Sequence, residues 1–251
     1  MRYAAEVSYD GSKYYGWQRQ LNLPSVQETL EKALTRLNRG RVNVTGAGRT
    51  DTGVHARGQV CSFDMDKEWD ARRLKLALNA NVPDKSISAI KLSAVGDDFH
   101  ARYDAVSREY KYFIWNANAI YPHLLPVTCW LKSGGLDWSR AAEACRYIRG
   151  EHDFKNFCRV CDVPENTVRV MNKVSLHRRG SLIVFTINGS GFLTNMVRII
   201  LGNLEKIAVG EREPEWIAEL LSDRCSRVDG GRTFPPGGLF LWKIYYDKPI
   251  W

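Results

Sequence analysis

At 251 residues, with 44% hydrophobic and 25% charged side chains, the sequence has the composition of a folded globular protein that buries roughly three quarters of its unfolded surface. No stretch approaches the roughly 18 consecutive apolar residues of a membrane span, and Glu6 interrupts the start where a secretory leader needs to be apolar, so the expected address is the cytoplasm, with no membrane partner. A net charge of +8, a pI near 9.2 and an excess of arginine over lysine suit a polyanionic partner, because guanidinium groups pair with phosphate bidentately and stack on bases; a merely solvated basic surface would have the same composition.

The chain opens with an alternating strand, Tyr3, Ala5, Val7 and Tyr9 on one face and Arg2, Glu6 and Ser8 on the other, ending at Asp10-Gly11. A loop follows, Tyr14-Tyr15-Gly16-Trp17-Gln18-Arg19-Gln20, whose aromatics and cation suit looped RNA, or else fold back as a satellite core. Ser25 and Glu28 form a capping-box pattern ahead of Leu30, Ala33, Leu34 and Leu37 at helical spacing. Strands are predicted over 41–45 and 59–64, flanking a Gly-rich segment, and Asp70 opens a helix that stops before Pro83. Further strands are predicted over 86–95, 108–115, 168–177, 182–188 and 239–246. Helices are predicted over 137–148, 192–208 and 216–221. Several connections are too short for parallel crossovers, so the expected class is α+β with largely antiparallel sheet. Two similar halves, 1–104 and 105–251, are expected to share that sheet.

Six cysteines in a chain of this length and address are expected to be reduced thiols. Cys158-Arg159-Val160-Cys161 has no second pair at comparable spacing, so no metal site is assigned to it, nor to His55, His100 or His152.

The densest chemistry lies in Gly46-Ala47-Gly48-Arg49-Thr50-Asp51-Thr52-Gly53-Val54-His55-Ala56-Arg57-Gly58-Gln59. Its glycines allow backbone to approach a substrate closely. Arg49 and Arg57 flank a single carboxylate, Asp51, and a neighbouring guanidinium favours its ionised form. The segment lacks the Gly-Lys-Ser/Thr of a Walker loop and the spacing of a dinucleotide fingerprint. Taken alone, it could equally be a turn bearing solvated charges.

The stretch Gly48-Arg49-Thr50-Asp51-Thr52-Gly53-Val54-His55-Ala56 resembles the signature of the TruA family of tRNA pseudouridine synthases. Four more segments resemble the family's other motifs, in the family's order: Tyr9-Asp10-Gly11 with Tyr15-Gly16-Trp17-Gln18; Phe99-His100-Ala101-Arg102 with Arg108-Glu109-Tyr110-Lys111-Tyr112; Gly191 to Arg198; and Pro236 to Leu241. The resemblance spans essentially the whole chain. It implies a pseudouridine synthase fold with a central basic cleft, and isomerisation of uridine to pseudouridine in the anticodon stem-loop of tRNA (positions 38–40) with no metal or organic cofactor. It also implies a homodimer, and a segment around 151–158 lying over the cleft. By position it makes Asp51 the nucleophile, attacking either the base or the sugar, with Arg198 pairing to it, Arg49 beside it, Tyr110 packing on the base and Leu239 an apolar wall. Arg57 and His55 join Tyr110 and Leu239 as candidate substrate contacts.

Without the resemblance, Tyr110 reads as a sheet-face aromatic beside Tyr112 and Ile114, and Arg198 as a cation on a narrow polar stripe of an apolar helix. Rival readings are a glycosidase, which needs a second carboxylate that the central loop lacks, a silent RNA-binding protein, and a relative acting on other RNA uridines.

Overall fold

The computed structural model describes residues 1–132 and 134–251. In chain order the elements are β1 (Arg2–Tyr9), α1 (Val26–Asn38), β2 (Thr45–Gly46), β3 (His55–Asp64), α2 (Ala71–Asn81), β4 (Ile87–Ala94), β5 (Ala105–Asn116), β6 (Cys129–Leu131), α3 (Trp138–Ile148), β7 (Gly150–Asp153), β8 (Val168–Arg179), β9 (Leu182–Gly189), α4 (Met196–Ala208), α5 (Trp216–Leu220) and β10 (Leu239–Tyr246). The chain forms two compact units, Met1–Arg108 with Phe240–Trp251, and Glu109–Leu239. It passes from one to the other within β5 and returns within β10.

In the first unit the strand order is β4-β1-β3-β10, with β2 also on β3. Pairing is antiparallel except between β3 and β10, which run parallel with Phe240 opposite His55. That pairing puts the final strand with the first unit, whereas a division at residue 105 assigns it to the second half. Tyr3, Ala5, Val7 and Tyr9 are all buried, as their alternation predicts. Helix α1 starts where Ser25 Oγ accepts the N–H of Glu28, and buries Val26, Leu30, Ala33 and Leu34; a fully buried leucine contributes about 1.5–3 kcal/mol. The Glu28 carboxylate does not turn back to complete the capping box but pairs with Lys32 at 2.7 Å.

The strand predicted over 41–45 forms only at Thr45–Gly46, because side chains of α1 take the backbone groups that a ladder would use. Val42 N–H donates to Thr35 Oγ1 and Val44 N–H to Glu31, while Gln27 donates to the Val44 carbonyl. On the other side of the Gly-rich loop, β3 begins four residues earlier than the predicted 59 and takes His55 and Arg57 into the ladder.

In the second unit the order is β5-β9-β8-β7, with β6 parallel to β5; β7–β8 and β8–β9 are antiparallel. Asp137 caps α3, which buries Trp138, Ala141, Ala144, Cys145 and Ile148. Helix α4 is apolar almost all round and starts at Met196, later than the predicted 192. Asn195 sits in the left-handed region at φ 63°, a conformation asparagine tolerates but no helix continues through. The fold is thus α+β with mostly antiparallel pairing.

Candidate active site

The segment 46–59 is fixed mainly through its carbonyl groups. Ala47 O accepts from Arg108 Nη2 at 3.0 Å, Gly48 O from Gln59 Nε2 at 2.7 Å, Thr50 O from the Trp17 N–H at 3.0 Å, and Asp51 O from the Val54 N–H at 3.1 Å. The last bond closes a turn with Gly53 at φ 77°, the left-handed position that a type II turn demands and glycine meets without strain. Thr50 is buried with its hydroxyl 2.9 Å from Tyr9 Oη. Between these anchors Asp51 is half-buried, while Arg49 and Arg57 are exposed. A single carboxylate is therefore presented by a loop whose backbone has little freedom.

Trp17 accounts for much of that rigidity. Its indole fills the space beside Gly46, where a Cβ would lie 2.4 Å from the ring, and a Cβ on Gly16 would meet the Thr50 carbonyl at 2.6 Å. Tyr14 is buried too, its hydroxyl 2.5 Å from Ser86 Oγ. Of the aromatics in 14–20, only Tyr15 is exposed, so this loop is chiefly the brace under the Asp51 loop and not a row of stacking surfaces. Arg19 pairs with the buried Glu31 at 3.1 Å. Gly48 differs from Gly46 and Gly58 in that a Cβ there would meet nothing within 4 Å, and its φ is not left-handed.

His55 is 2% exposed, stacked on Phe240 with centroids 4.7 Å apart. Its Nδ1 lies 3.1 Å from the Gly11 N–H, which donates to it, and 3.4 Å from Asp10 Oδ1. So enclosed a ring positions the base of the loop more readily than it touches a substrate. The Arg57 guanidinium lies 5.0 Å from the Trp242 ring centroid, a cation–π contact that holds it along β3.

The remaining candidates lie in the second unit. Tyr110 is buried on the same face of β5 as Tyr112 and Ile114, edge-on to Phe192 at 4.9 Å. Arg198 donates from Nε to the Phe234 carbonyl and from Nη1 to Asn195 Oδ1, both at 2.6 Å, and its own carbonyl accepts the Phe234 N–H. Tyr112 Oη donates to the Pro235 carbonyl at 2.7 Å, and burial pushes its phenol well above the usual range. Leu239, 4% exposed, follows directly, its N–H bonded to Pro236 O. The segment 234–239 thus ties Arg198, β5 and Leu239 together. Residues that sequence reasoning left without a role are Gln59 and Arg108; the latter lay within a recognised motif, but only the fold shows which carbonyls it holds.

Cys158 is buried and Cys161 exposed, and among the described residues no group of three or more His, Cys, Asp or Glu side chains is placed to hold a metal ion. Among the described residues no helix is long and apolar enough to cross a membrane.

Residues 5–104 and 144–247 match the family described as tRNA pseudouridine synthase, which puts the chain in the class of pseudouridine synthases. It is similar to tRNA pseudouridine synthase A of Photobacterium profundum, 39% identical over 248 residues that cover 99% of this chain and 94% of the relative. The proteins of that name from Oceanobacillus iheyensis and Acetivibrio thermocellus are each 40% identical, over 98% and 96% of this chain and 97% of each relative. Matched end to end at this identity, the chain belongs to the tRNA pseudouridine synthase family.

Proposed function

We propose that the protein isomerises uridine to pseudouridine in the anticodon stem-loop of tRNA, at positions 38–40, with Asp51 as the nucleophile. The observation that carries the reading is the tethered loop: a single carboxylate held half-buried by carbonyl anchors on both sides, in a chain of this family. The bond between ribose C1′ and uracil N1 breaks, the base turns, C1′ bonds to C5, the C5 hydrogen leaves as a proton and N1 takes a proton up. Substrate and product are isomers, so the residues must cleave, retain and reorient the base.

Asp51 supplies the attacking carboxylate, whose bond to the substrate breaks again before the product leaves and so restores the free carboxylate, and Arg49 offers a neighbouring cation and a phosphate contact. Tyr110 packs on the base, Arg198 provides a second cation and Leu239 an apolar wall. Arg57 grips phosphate along β3, and His55 fixes the loop from beneath. A nucleotide drawn out of its stack costs a few kcal/mol, which such stacking and phosphate contacts offset. The enzyme works in the cytoplasm as a homodimer.

Tritium release from tRNA labelled at uracil C5, combined with mapping of the modified positions, tests this. Asp51→Asn is expected to lower the single-turnover rate at least about 10³-fold with unchanged thermal stability, because a neutral amide cannot act as the nucleophile. Turnover near wild type by a folded Asp51→Asn protein would sink the mechanism. Modification confined to other uridines would overturn the substrate assignment.

A further inference from the structure

The turn at 100–104 in the first unit is unusually well held for a segment that buries so little. His100 N–H donates to Asp104 Oδ2 at 2.8 Å and its carbonyl accepts the Asp104 N–H at 3.1 Å. Ala101 N–H reaches Ser62 Oγ, and its carbonyl accepts from Tyr246 Oη at 2.6 Å. The N–H groups of Arg102 and Tyr103 both donate to His100 Nδ1, at 3.2 and 3.1 Å, which orients the imidazole ring. That ring stacks against Tyr103 with centroids 4.2 Å apart and planes 26° from parallel. Yet Tyr103 is 76% exposed, and Arg102, its guanidinium 5.9 Å from the Tyr103 ring, is exposed as well.

Single exposed aromatics are ordinary on protein surfaces. A tethered one is not, because ordering a side chain costs entropy that burial usually offsets and here does not. An aromatic face backed by a second ring, beside an exposed guanidinium, fits an unpaired nucleobase and its phosphate. The turn is also linked to the Asp51 loop. Arg108 Nη2 donates both to Arg102 O at 2.8 Å and to Ala47 O at 3.0 Å, so one nitrogen sets the spacing between the two.

We propose that Tyr103 and Arg102 form a stacking platform for an unpaired nucleotide of the RNA substrate, kept in register with the Asp51 loop by Arg108. The proposal rests on the reading of the chain as a tRNA-modifying enzyme and adds where a second nucleotide is gripped. The platform holds RNA in place and takes no part in bond making.

The experiment measures equilibrium binding of a full-length tRNA transcript and the single-turnover rate at saturating tRNA, for wild type, Tyr103→Ala, Tyr103→Phe and Arg102→Ala. Tyr103→Ala is expected to raise the Kd about 5- to 150-fold, the range that loss of one stacked base produces. Its saturating rate should stay within about 3-fold of wild type, and its Tm should be unchanged, since the ring is exposed. Tyr103→Phe, which keeps the π-face, should restore binding to within about 2-fold. Arg102→Ala should reduce the slope of log Kd against log salt by about one phosphate's worth. A wild-type Kd for Tyr103→Ala overturns the proposal, as does Tyr103→Phe binding as poorly as the alanine variant. A Tyr103→Ala protein that keeps its Kd but changes its sedimentation would show that a second copy of the chain covers the ring. Absence of pseudouridine in wild-type reactions would instead defeat the functional reading, and the Kd comparison would still judge the platform.

Discussion

Arg108→Ala is the substitution that most directly tests whether the Asp51 loop is prepared by the fold for the proposed chemistry. The guanidinium donates to the carbonyls of Ala47, Arg102 and Ala105 at 3.0, 2.8 and 3.0 Å. Bonds from a charged donor are worth about 1.5–3 kcal/mol each when fully buried. Two of these are part-buried and one is exposed to water, which lowers the combined loss to about 3 kcal/mol. For a protein of this size that is a fall in Tm of about 6–12 °C. The larger effect falls on chemistry: with the Ala47 carbonyl released, displacement of the Asp51 loop by about 1 Å is enough to cost about 100-fold in rate. Thermal unfolding followed by circular dichroism reads the first quantity, and single-turnover pseudouridine formation at saturating tRNA reads the second. Arg108→Lys keeps the charge but not the planar fork, and should recover less than half of either loss. If Arg108→Ala retains a single-turnover rate within about 2-fold of wild type, the loop is not positioned through this anchor and the reasoning fails.

Gly48→Ala should leave Tm unchanged or raise it by about 1–4 °C, because the backbone is not left-handed and the added methyl meets no protein atom; turnover on tRNA should nevertheless fall, with KM rising, if the open space beside Gly48 admits RNA. The same change at Gly134, whose surroundings are equally open but which lies outside the segment 46–59, serves as the control and should affect Tm in the same way while leaving KM unaltered. Arg2 holds the Asp64 carboxyl below the usual range through two 2.9 Å bonds, so the stabilisation is present above the unfolded pKa of about 3.9 and is lost as pH falls through the folded value. Urea unfolding of wild type and Asp64→Asn should therefore show a gap near pH 6–7 that narrows once pH falls below the unfolded value of about 3.9 and closes below the lowered folded one. Burial pushes the Cys61 and Cys145 thiols up to about 12, so alkylation at pH 8 read by mass spectrometry should label the exposed Cys161 first and spare those two until the protein unfolds.

Helix starts at Ser25, Asp70 and Asp137 were legible because a cap is a local signal, complete within three residues. The alternation of β1 was legible for the same reason. What local pattern could not carry was the partner of each group. Tyr14 and Trp17 have the composition of an RNA-facing loop, and only the close approach of Gly16 and Gly46 turns them inward. Residues 42–44 look like a strand, but Gln27, Glu31 and Thr35 on the neighbouring helix claim their backbone. Strands β6 and β7, three and four residues long, are too short to show any period. In the candidate site, Asp51 stood out by its surroundings in sequence, whereas Arg108 and Gln59 act through carbonyls many residues away.

The parallel seam between β3 and β10 makes the first unit a matter of timing. Residues 1–108 leave the ribosome well before residues 240–251, and until those arrive the β3 edge beside His55 has no Phe240 to stack on or pair with. The strand that leads out of the Asp51 loop is therefore among the last to be completed. A nascent chain carries the Asp51 carboxylate long before it carries the framework that holds the strand behind it, and a fragment cut at residue 108 inherits an open sheet edge in place of the completed β3–β10 pairing.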